Sequence, residues 1–483
     1  MSDRAAVSRS SVSETLDEKV RRVFGPLAID KRRLPMSQLS ARGIPAYVAE
    51  WVLESRVPGY GPLSAADAAE INAWASRNIP IPTDQGVIKH RLSSGETVRA
   101  LTPVRVEIKL KRNKDVEKLA TLSFLGIEDA YIDDDTISQH QDLLRQGMWG
   151  IVDIVRHQRG IAITRFRPMQ AQLNLDMYKD ARRSFTTSEW LELMLLSMGY
   201  SPNAFSESAK LYVLSRLLPL VQKSMHLMEL APKGTGKSYV FENIHPKVRL
   251  VSGGNISPAV LFVNNASGQW GLLARFAAVV LDEVQTLKFE KPAEIIGGLK
   301  GYLANGLLTR GGLHQTSSDC GLVLLANVAL DESQQPVRSP VVSELPEFLR
   351  ESAFVDRMRG LIPGWRIPKL TSSAFAQAMG LKSDFFGDTL LALREDFTAD
   401  QICQRRIQLT GSNPYKRNHD AIVSIASGMM KILFPDCVVT NDEFERYCVA
   451  PAVELRQGVW DQLYQIDAEY RQYDPMIKAE VTS

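Results

Sequence analysis

Residues Leu227-Met-Glu-Leu-Ala-Pro-Lys-Gly-Thr-Gly-Lys-Ser238 set a short apolar run before a Gly-containing turn, and a helix opens at Lys237-Ser238. Strand, loop, helix is the order that a phosphate-binding loop needs. Gly234 and Gly236 let the backbone around Thr235 curl so that its N–H groups point at phosphate oxygens, and the following helix offers its positive end. Lys237 is then placed to neutralise the β- and γ-phosphates of a nucleoside triphosphate, and Ser238 to ligate Mg2+. The position usually held by the first Gly of such a loop is Ala231, which is tolerable only with ordinary backbone angles. A purely structural Gly-rich turn is the competing account.

Three further elements follow in order. Phe276-Ala-Ala-Val-Val-Leu-Asp-Glu283 is a continuous apolar run ending in two carboxylates, the pattern of a strand buried in a parallel sheet whose carboxyl end faces ligand. Asp282 is expected to hold Mg2+ through water, and Glu283 to polarise the attacking water; a solvated acidic turn is the plainer alternative. Cys320-Gly-Leu-Val-Leu-Leu-Ala-Asn327 is a second buried strand with an amide at its end. Asn327 fits a residue that senses the γ-phosphate, although an Asn at a strand end also simply begins turns. In Phe354-Val-Asp-Arg-Met-Arg359, Arg357 is chosen over Arg359 as a charge supplied to the transferring phosphoryl group from a neighbouring subunit. Surface salt bridging is the alternative.

These residues need a scaffold. From about residue 15 to 80 the chain reads as short helices, such as Ile44 to Leu53 and Ala65 to Ser76, with Pro/Gly punctuation between them. In Thr102 to Lys111, apolar Val104, Val106, Ile108 and Leu110 alternate with Arg105, Glu107, Lys109 and Lys111, as in a half-buried strand. Met148 to Val155 and Ile161 to Phe166 form a hairpin pattern with Gly160 near its turn, with Arg165 and Arg167 on or beside the second strand. Thr186 and Glu189 have capping-box spacing, and further helices are expected at Ser206 to Val221 and Asp420 to Phe434. The fold class is therefore α/β: a phosphate-loop ATPase core with a helical lid, preceded by a mixed α/β N-terminal domain containing a small β-rich, barrel-like part. The expected divisions are a disordered tail (1–14), the N-terminal domain (15–180), the ATPase core (181–370), the lid (371–470) and a C-terminal tail (471–483).

At 483 residues the chain is too long for one compact core. Its 45% apolar and 23% charged composition is that of a water-soluble protein, and no stretch approaches the ~20 apolar residues of a membrane span. The opening segment lacks the apolar region of a secretory signal. Cys320, Cys403, Cys437 and Cys448 show no zinc or disulfide spacing, so a reducing cytoplasm is the expected setting. A net charge of +2 demands no nucleic-acid partner, so any such evidence must be local.

With its four chemical elements in order, the chain resembles the BrxL family, Lon-like AAA+ proteins of BREX phage-defence systems whose ATPase is similar to that of MCM replicative helicases. The resemblance runs from about Leu16-Asp-Glu-Lys19 to about Tyr470, through Phe185-Thr-Thr-Ser-Glu-Trp190, Gly234-Thr-Gly-Lys-Ser238, Val251-Ser-Gly-Gly254, Asp282-Glu-Val284, Asp356-Arg-Met358 and Ile362-Pro-Gly-Trp365. It implies ATP and Mg2+ as ligands, and hexameric rings that can pair into a double ring, with DNA in the central channel. It also implies Arg357 as the finger, and other BREX proteins as partners. Arg417, in Tyr415-Lys-Arg-Asn-His-Asp420, falls where the MCM pattern has a second arginine sensor; a surface residue at a helix start is the alternative. Longer family members carry a Lon-like protease domain after the ATPase, and no peptidase activity is expected of this polypeptide.

The same resemblance points to DNA contacts. Lys300 to His314 occupies the place of a pore hairpin, which makes Arg310 and His314 candidates for phosphate contact. Arg105, Lys109, Lys111, Arg112 and Lys114 form the densest basic stretch of the chain, suited to sequence-independent backbone binding, while a solvated face is the plainer account. The leading expectation is an ATP-driven DNA translocase or remodeller. A protein unfoldase using Tyr302 as its pore aromatic, and a scaffold that uses ATP only to assemble on DNA, are the competitors.

Overall fold

The computed structural model describes residues 14–482 apart from 111–115, 159, 170–172, 267, 311–313 and 412–414. The expected tail at 1–14 therefore lies outside the described residues except for Glu14, as do Lys111, Arg112 and Lys114.

Three apolar cores organise the chain. The first lies under the helices Ala46–Arg56 and Ala65–Asn78, through Val48, Val52, Leu53, Ile71 and Trp74. The expected helix at Ile44 starts two residues late because Pro45 takes the position before the first turn, where its fixed φ and missing N–H do no harm.

The second core fills a closed barrel of β1 (Val98–Leu110), β2 (Val116–Leu122), β3 (Ile127–Tyr131), β4 (Met148–His157) and β5 (Gly160–Pro168), joined in the order β1-β2-β3-β5-β4. Closure removes the exposed edges of the sheet. Alternation sends Val98, Ala100, Val104, Val152 and Ile154 inward. The alternation expected for β1 fails at Ile108, which is 43% exposed. Beyond Val104, β1 pairs only with β2 among the described residues, from Val104↔Leu122 to Leu110↔Val116; Val106 is still buried in the barrel core, and past it the two strands continue as an arm.

The third and largest core surrounds a five-stranded parallel sheet of β6 (Leu227–Ala231), β7 (Val248–Ser252), β8 (Ala278–Asp282), β11 (Gly321–Asn327) and β12 (Gly360–Pro363). Its strand order is β12-β6-β11-β8-β7. Between β8 and β11, helix α1 (Pro292–Asn305) leads into an antiparallel hairpin, β9 (Leu307–Arg310) and β10 (His314–Ser317). Preceding the sheet, the helix expected over Ser206 to Val221 is two helices, Glu207–Ser215 and Leu218–Val221. Pro219 has no N–H with which to continue the ladder.

After the sheet come α2 (Ser383–Leu393), α3 (Thr398–Arg406), α4 (Lys416–Leu433) and α5 (Ala450–Ile466). Two strands tie distant parts of the chain to this region. Ala28–Asp30 pairs with Met379–Leu381, and Lys478–Val481, in the stretch expected as a tail, pairs with Ile407–Thr410. Ile477 beside that last strand is buried, so apolar burial there offsets the conformational entropy lost on ordering the strand.

Candidate active site

The sheet register brings the chemical residues to one edge. Ala231 lies opposite Asn327 across β6 and β11, and Asp282 ends β8 on the other side of β11. The strand carrying Asn327 therefore separates the phosphate loop from the acidic pair, and its amide can reach both. It does so: Lys237 Nζ donates to Asn327 Oδ1 at 2.7 Å, and Asn327 Nδ2 donates to Glu283 Oε1 at 3.1 Å. Beside this chain, Ser238 Oγ donates to Asp282 Oδ2 at 2.7 Å.

Backbone geometry explains the glycines. Gly234 and Gly236 have φ of 89° and 70°, a region where a side chain is strained. A Cβ on Gly236 would also lie 2.4 Å from Leu370 Cδ1, whereas nothing lies within 4 Å of one on Gly234. The loop is pinned at one glycine and open at the other. Ala231 is not among the residues with positive φ and continues the β6 ladder, so the departure from Gly is accommodated. Glu283 does have positive φ, 45°, a conformation costing on the order of 1–3 kcal/mol. It is held there by Asp282 Oδ1, which accepts from Glu283 N at 2.8 Å, and by the donation of Val284 N to Leu325 O at 3.0 Å.

Lys237 is buried, and burial lowers the pKa of its amine while Glu229, Asp282 and Glu283 pull the other way. An incoming phosphate group would replace that lost solvation. The open space before Gly234, the cation on Lys237 and the adjacent oxygens of Ser238 and Asp282 together suit a triphosphate with Mg2+.

Supporting residues escaped the sequence reading. Arg216 and Glu229 are both fully buried and form a two-point pair, Nε to Oε2 at 3.0 Å and Nη2 to Oε1 at 2.6 Å. Arg216 Nη2 also donates to Thr235 O at 3.2 Å, and Tyr200 donates to Gly236 O at 2.8 Å. The phosphate loop thus rests on a guanidinium. Glu229, a charge inside an otherwise apolar strand, was the available signal, because a buried carboxylate requires a partner. Which arginine supplies it was not readable from spacing.

Arg357 and Arg417 lie together, away from this loop. Asp356 is buried; its carboxylate pairs with Arg417 and, at 2.9 Å, with Arg456 Nη2, and it accepts from Tyr415 at 3.2 Å. Arg357, the next residue, donates to Ala353 O within its own turn and makes no ion pair among the described residues. Arg359 instead donates to Ser224 O at 2.9 Å, a fold contact.

For the remaining expected residues, Arg310 and His314 are register partners beside the tip of the β9–β10 hairpin. Lys109 lies on the β1–β2 arm opposite Glu117. Arg105 pairs with Glu107 at 3.5 Å and lines a cleft of about 660 Å³ between barrel and sheet with Arg249 and Arg275. Burial, with Arg105 and Arg249 nearby, brings the Arg275 guanidinium down to about 10. Tyr302 is a correction: it is buried and donates to Cys320 O, so it is a core residue and not a pore aromatic.

The family profile described as "Lon-like protease BrxL-like, ATPase domain" matches residues 161–476, and "BREX system Lon protease-like protein BrxL N-terminal" matches residues 22–156. The chain belongs to the BrxL family. The BrxL protein of Escherichia coli O9:H4 (strain HS), named Lon-like protease BrxL, is 29% identical over 437 residues, covering 87% of this chain and 60% of that protein. The protein of the same name from Bacillus cereus (strain H3081.97) is 28% identical over 433 residues, covering 88% of this chain and 63% of its own length. This BrxL-family chain thus spans about three-fifths of the length of these relatives. A full-length MCM homolog from Methanopyrus kandleri aligns over 87% of this chain and 100% of its own at 12% identity, with a TM-score of 0.40, too slight a likeness to carry an argument. No helix among the described residues is long and apolar enough to cross a membrane.

Proposed function

We propose that this BrxL-family chain hydrolyses ATP with Mg2+ at the boundaries of a hexameric ring and couples the cycle to translocation or remodelling of DNA in BREX-type anti-phage defence. The observation that carries this reading is the linked set Lys237–Asn327–Glu283 beside Ser238–Asp282 at one end of the parallel sheet. Lys237 and the loop amides from Gly234 to Ser238 bind the β- and γ-phosphates. Ser238 and Asp282 hold Mg2+, which when bound draws charge from the phosphate oxygens. Glu283 orients and polarises the attacking water, and Asn327, already bonded to both Lys237 and Glu283, couples the state of the phosphate to the position of the base.

Arg357 is supplied to the neighbouring subunit, with Arg417 fixed next to it by Asp356. The placement of both arginines around Asp356 and the lack of an ion pair at Arg357 among the described residues support that assignment. The hairpin residues Arg310 and His314, Lys109 on the arm, Arg105 in the cleft, and Lys111 and Arg112 of the same basic stretch of sequence contact DNA phosphates without reading sequence. The burial of Tyr302 argues against an unfoldase pore.

The test is the Glu283→Gln variant. It should keep ATP binding and ring formation while turnover falls by about 10²–10⁴-fold; hydrolysis at the wild-type rate would remove Glu283 from the mechanism. Duplex DNA should stimulate the wild-type ATPase and an unfolded protein should not. Stimulation by protein alone would overturn the DNA assignment.

A further inference from the structure

A second concentration of positive charge lies on the outer face of the barrel, in a cleft of about 430 Å³. Strand alternation builds it. Val98, Ala100, Val152 and Ile154 point into the barrel core, so Arg99 on β1, Asp153 on β4 and Arg165 and Arg167 on β5 point out. Register puts Arg99, Asp153 and Arg165 in one cross-strand row, and Ile151 with Arg167 in the next. The ends of helices Ala46–Arg56 and Ala65–Asn78 add Arg56 and Arg77 to the same cleft.

One carboxylate faces these five arginines, Arg56, Arg77, Arg99, Arg165 and Arg167. It is already engaged: Asp153 binds Arg99 at two points, 2.7 and 2.8 Å. Arg56 stacks its guanidinium 4.9 Å over the buried Trp74 ring, which fixes the group without neutralising it. Arg77 donates to Ala73 O in its own helix. Among the described residues, Arg56, Arg77, Arg165 and Arg167 make no ion pair. For a chain of net charge +2, four unpaired arginines around one cleft repel one another unless an anion sits between them.

We infer that this cleft is a phosphate-binding site for the backbone of a nucleic-acid strand. The inference rests on the DNA reading above but uses none of the residues named there. Guanidinium forks match non-bridging phosphate oxygens at two points. Arg165 and Arg167, two positions apart on one strand, stand roughly 6.6 Å apart along it, a separation comparable to that of neighbouring phosphates. Arg99 is held upright by Asp153 and Arg56 by Trp74, so the site is ordered before any ligand arrives and loses little side-chain entropy on binding.

The experiment measures affinity of the full chain for a fluorescent oligonucleotide against salt concentration, for the wild type and for the Arg165→Gln/Arg167→Gln double variant. Loss of two phosphate contacts should lower the slope of log affinity against log salt by about 2, whatever the sequence. A wild type that binds with an unchanged slope in the double variant overturns this inference alone. A wild type that binds no DNA overturns both it and the DNA reading.

Modification of the unaltered protein by an arginine-selective glyoxal, read by mass spectrometry, needs no variant to fold. Oligonucleotide should shield Arg165 and Arg167, and free ATP should not. Equal shielding by ATP would make the cleft a free-nucleotide site and overturn the assignment to nucleic acid, as would the absence of any shielding.

Discussion

The arginine beneath the phosphate loop and the arginines on the barrel's outer face differ in one respect that separates their roles. Arg216 has no exposed surface and nearly every donor is spoken for, by Glu229, Thr235, Gly236 and Tyr200. Arg165 and Arg167 are exposed and make no ion pair among the described residues. A buried charge with a complete set of partners holds a shape, because removing one partner strands the other in a poor solvent. An exposed charge without a partner contributes little to the fold and remains available to a ligand. Arginines of the first kind should cost stability when lost, and those of the second kind function.

The sharpest way to break that distinction is Arg357→Ala. Arg357 is half-exposed and donates to Ala353 O but makes no ion pair among the described residues, which sets it closer to the second kind, so the variant should lose about 10³–10⁵ in ATP turnover while its unfolding free energy changes by no more than about 1 kcal/mol. Mixing it with Glu283→Gln subunits should restore some turnover if the finger acts across a boundary. A variant that unfolds early or hydrolyses ATP normally would remove Arg357 from that class.

Arg216→Met tests the opposite kind. Breaking a buried pair should cost about 3–5 kcal/mol of unfolding free energy in denaturant titration and weaken ATP binding through the loop. Arg216→Met/Glu229→Gln should recover part of the stability. Equal stability of the single variant and wild type would show that the pair does not support the loop.

Asp384 on α2 sharpens the comparison from the acidic side, being largely enclosed yet making no ion pair among the described residues. Burial raises its carboxyl from 3.8 to about 6. The folded protein therefore holds a proton that the unfolded chain has released between about pH 4 and 6, and stability declines as pH rises through that window. Asp384→Asn should match wild type near pH 4 and exceed it at pH 7 by at most on the order of 3 kcal/mol. Parallel melting curves for the two proteins across that range would refute the burial account.

Much of the candidate site's local geometry was legible because its parts are local. Gly234, Gly236, Lys237 and Ser238 lie within one turn of chain, and the apolar runs ending at Asp282 and Asn327 announce buried parallel strands. Less was legible where the outcome depends on what packs alongside. Ile108 alternates correctly for a barrel strand yet is exposed, because the neighbouring strand on one side stops short of it. Tyr302 sits just before the β9–β10 hairpin in sequence, but α1 turns it into the core.

By itself, the sequence determined the loop, the strand ends and the left-handed turns at Gly234 and Gly236, since backbone conformation and apolar patterning act over a few residues. Only the tertiary structure decided that Asn327 bridges Lys237 and Glu283, that Arg216 supports the loop and that Asp356 gathers Arg417 beside Arg357. Those partners lie from 13 to 90 residues apart, and a charge finds its counter-charge through strand order and burial, which spacing along the chain does not encode.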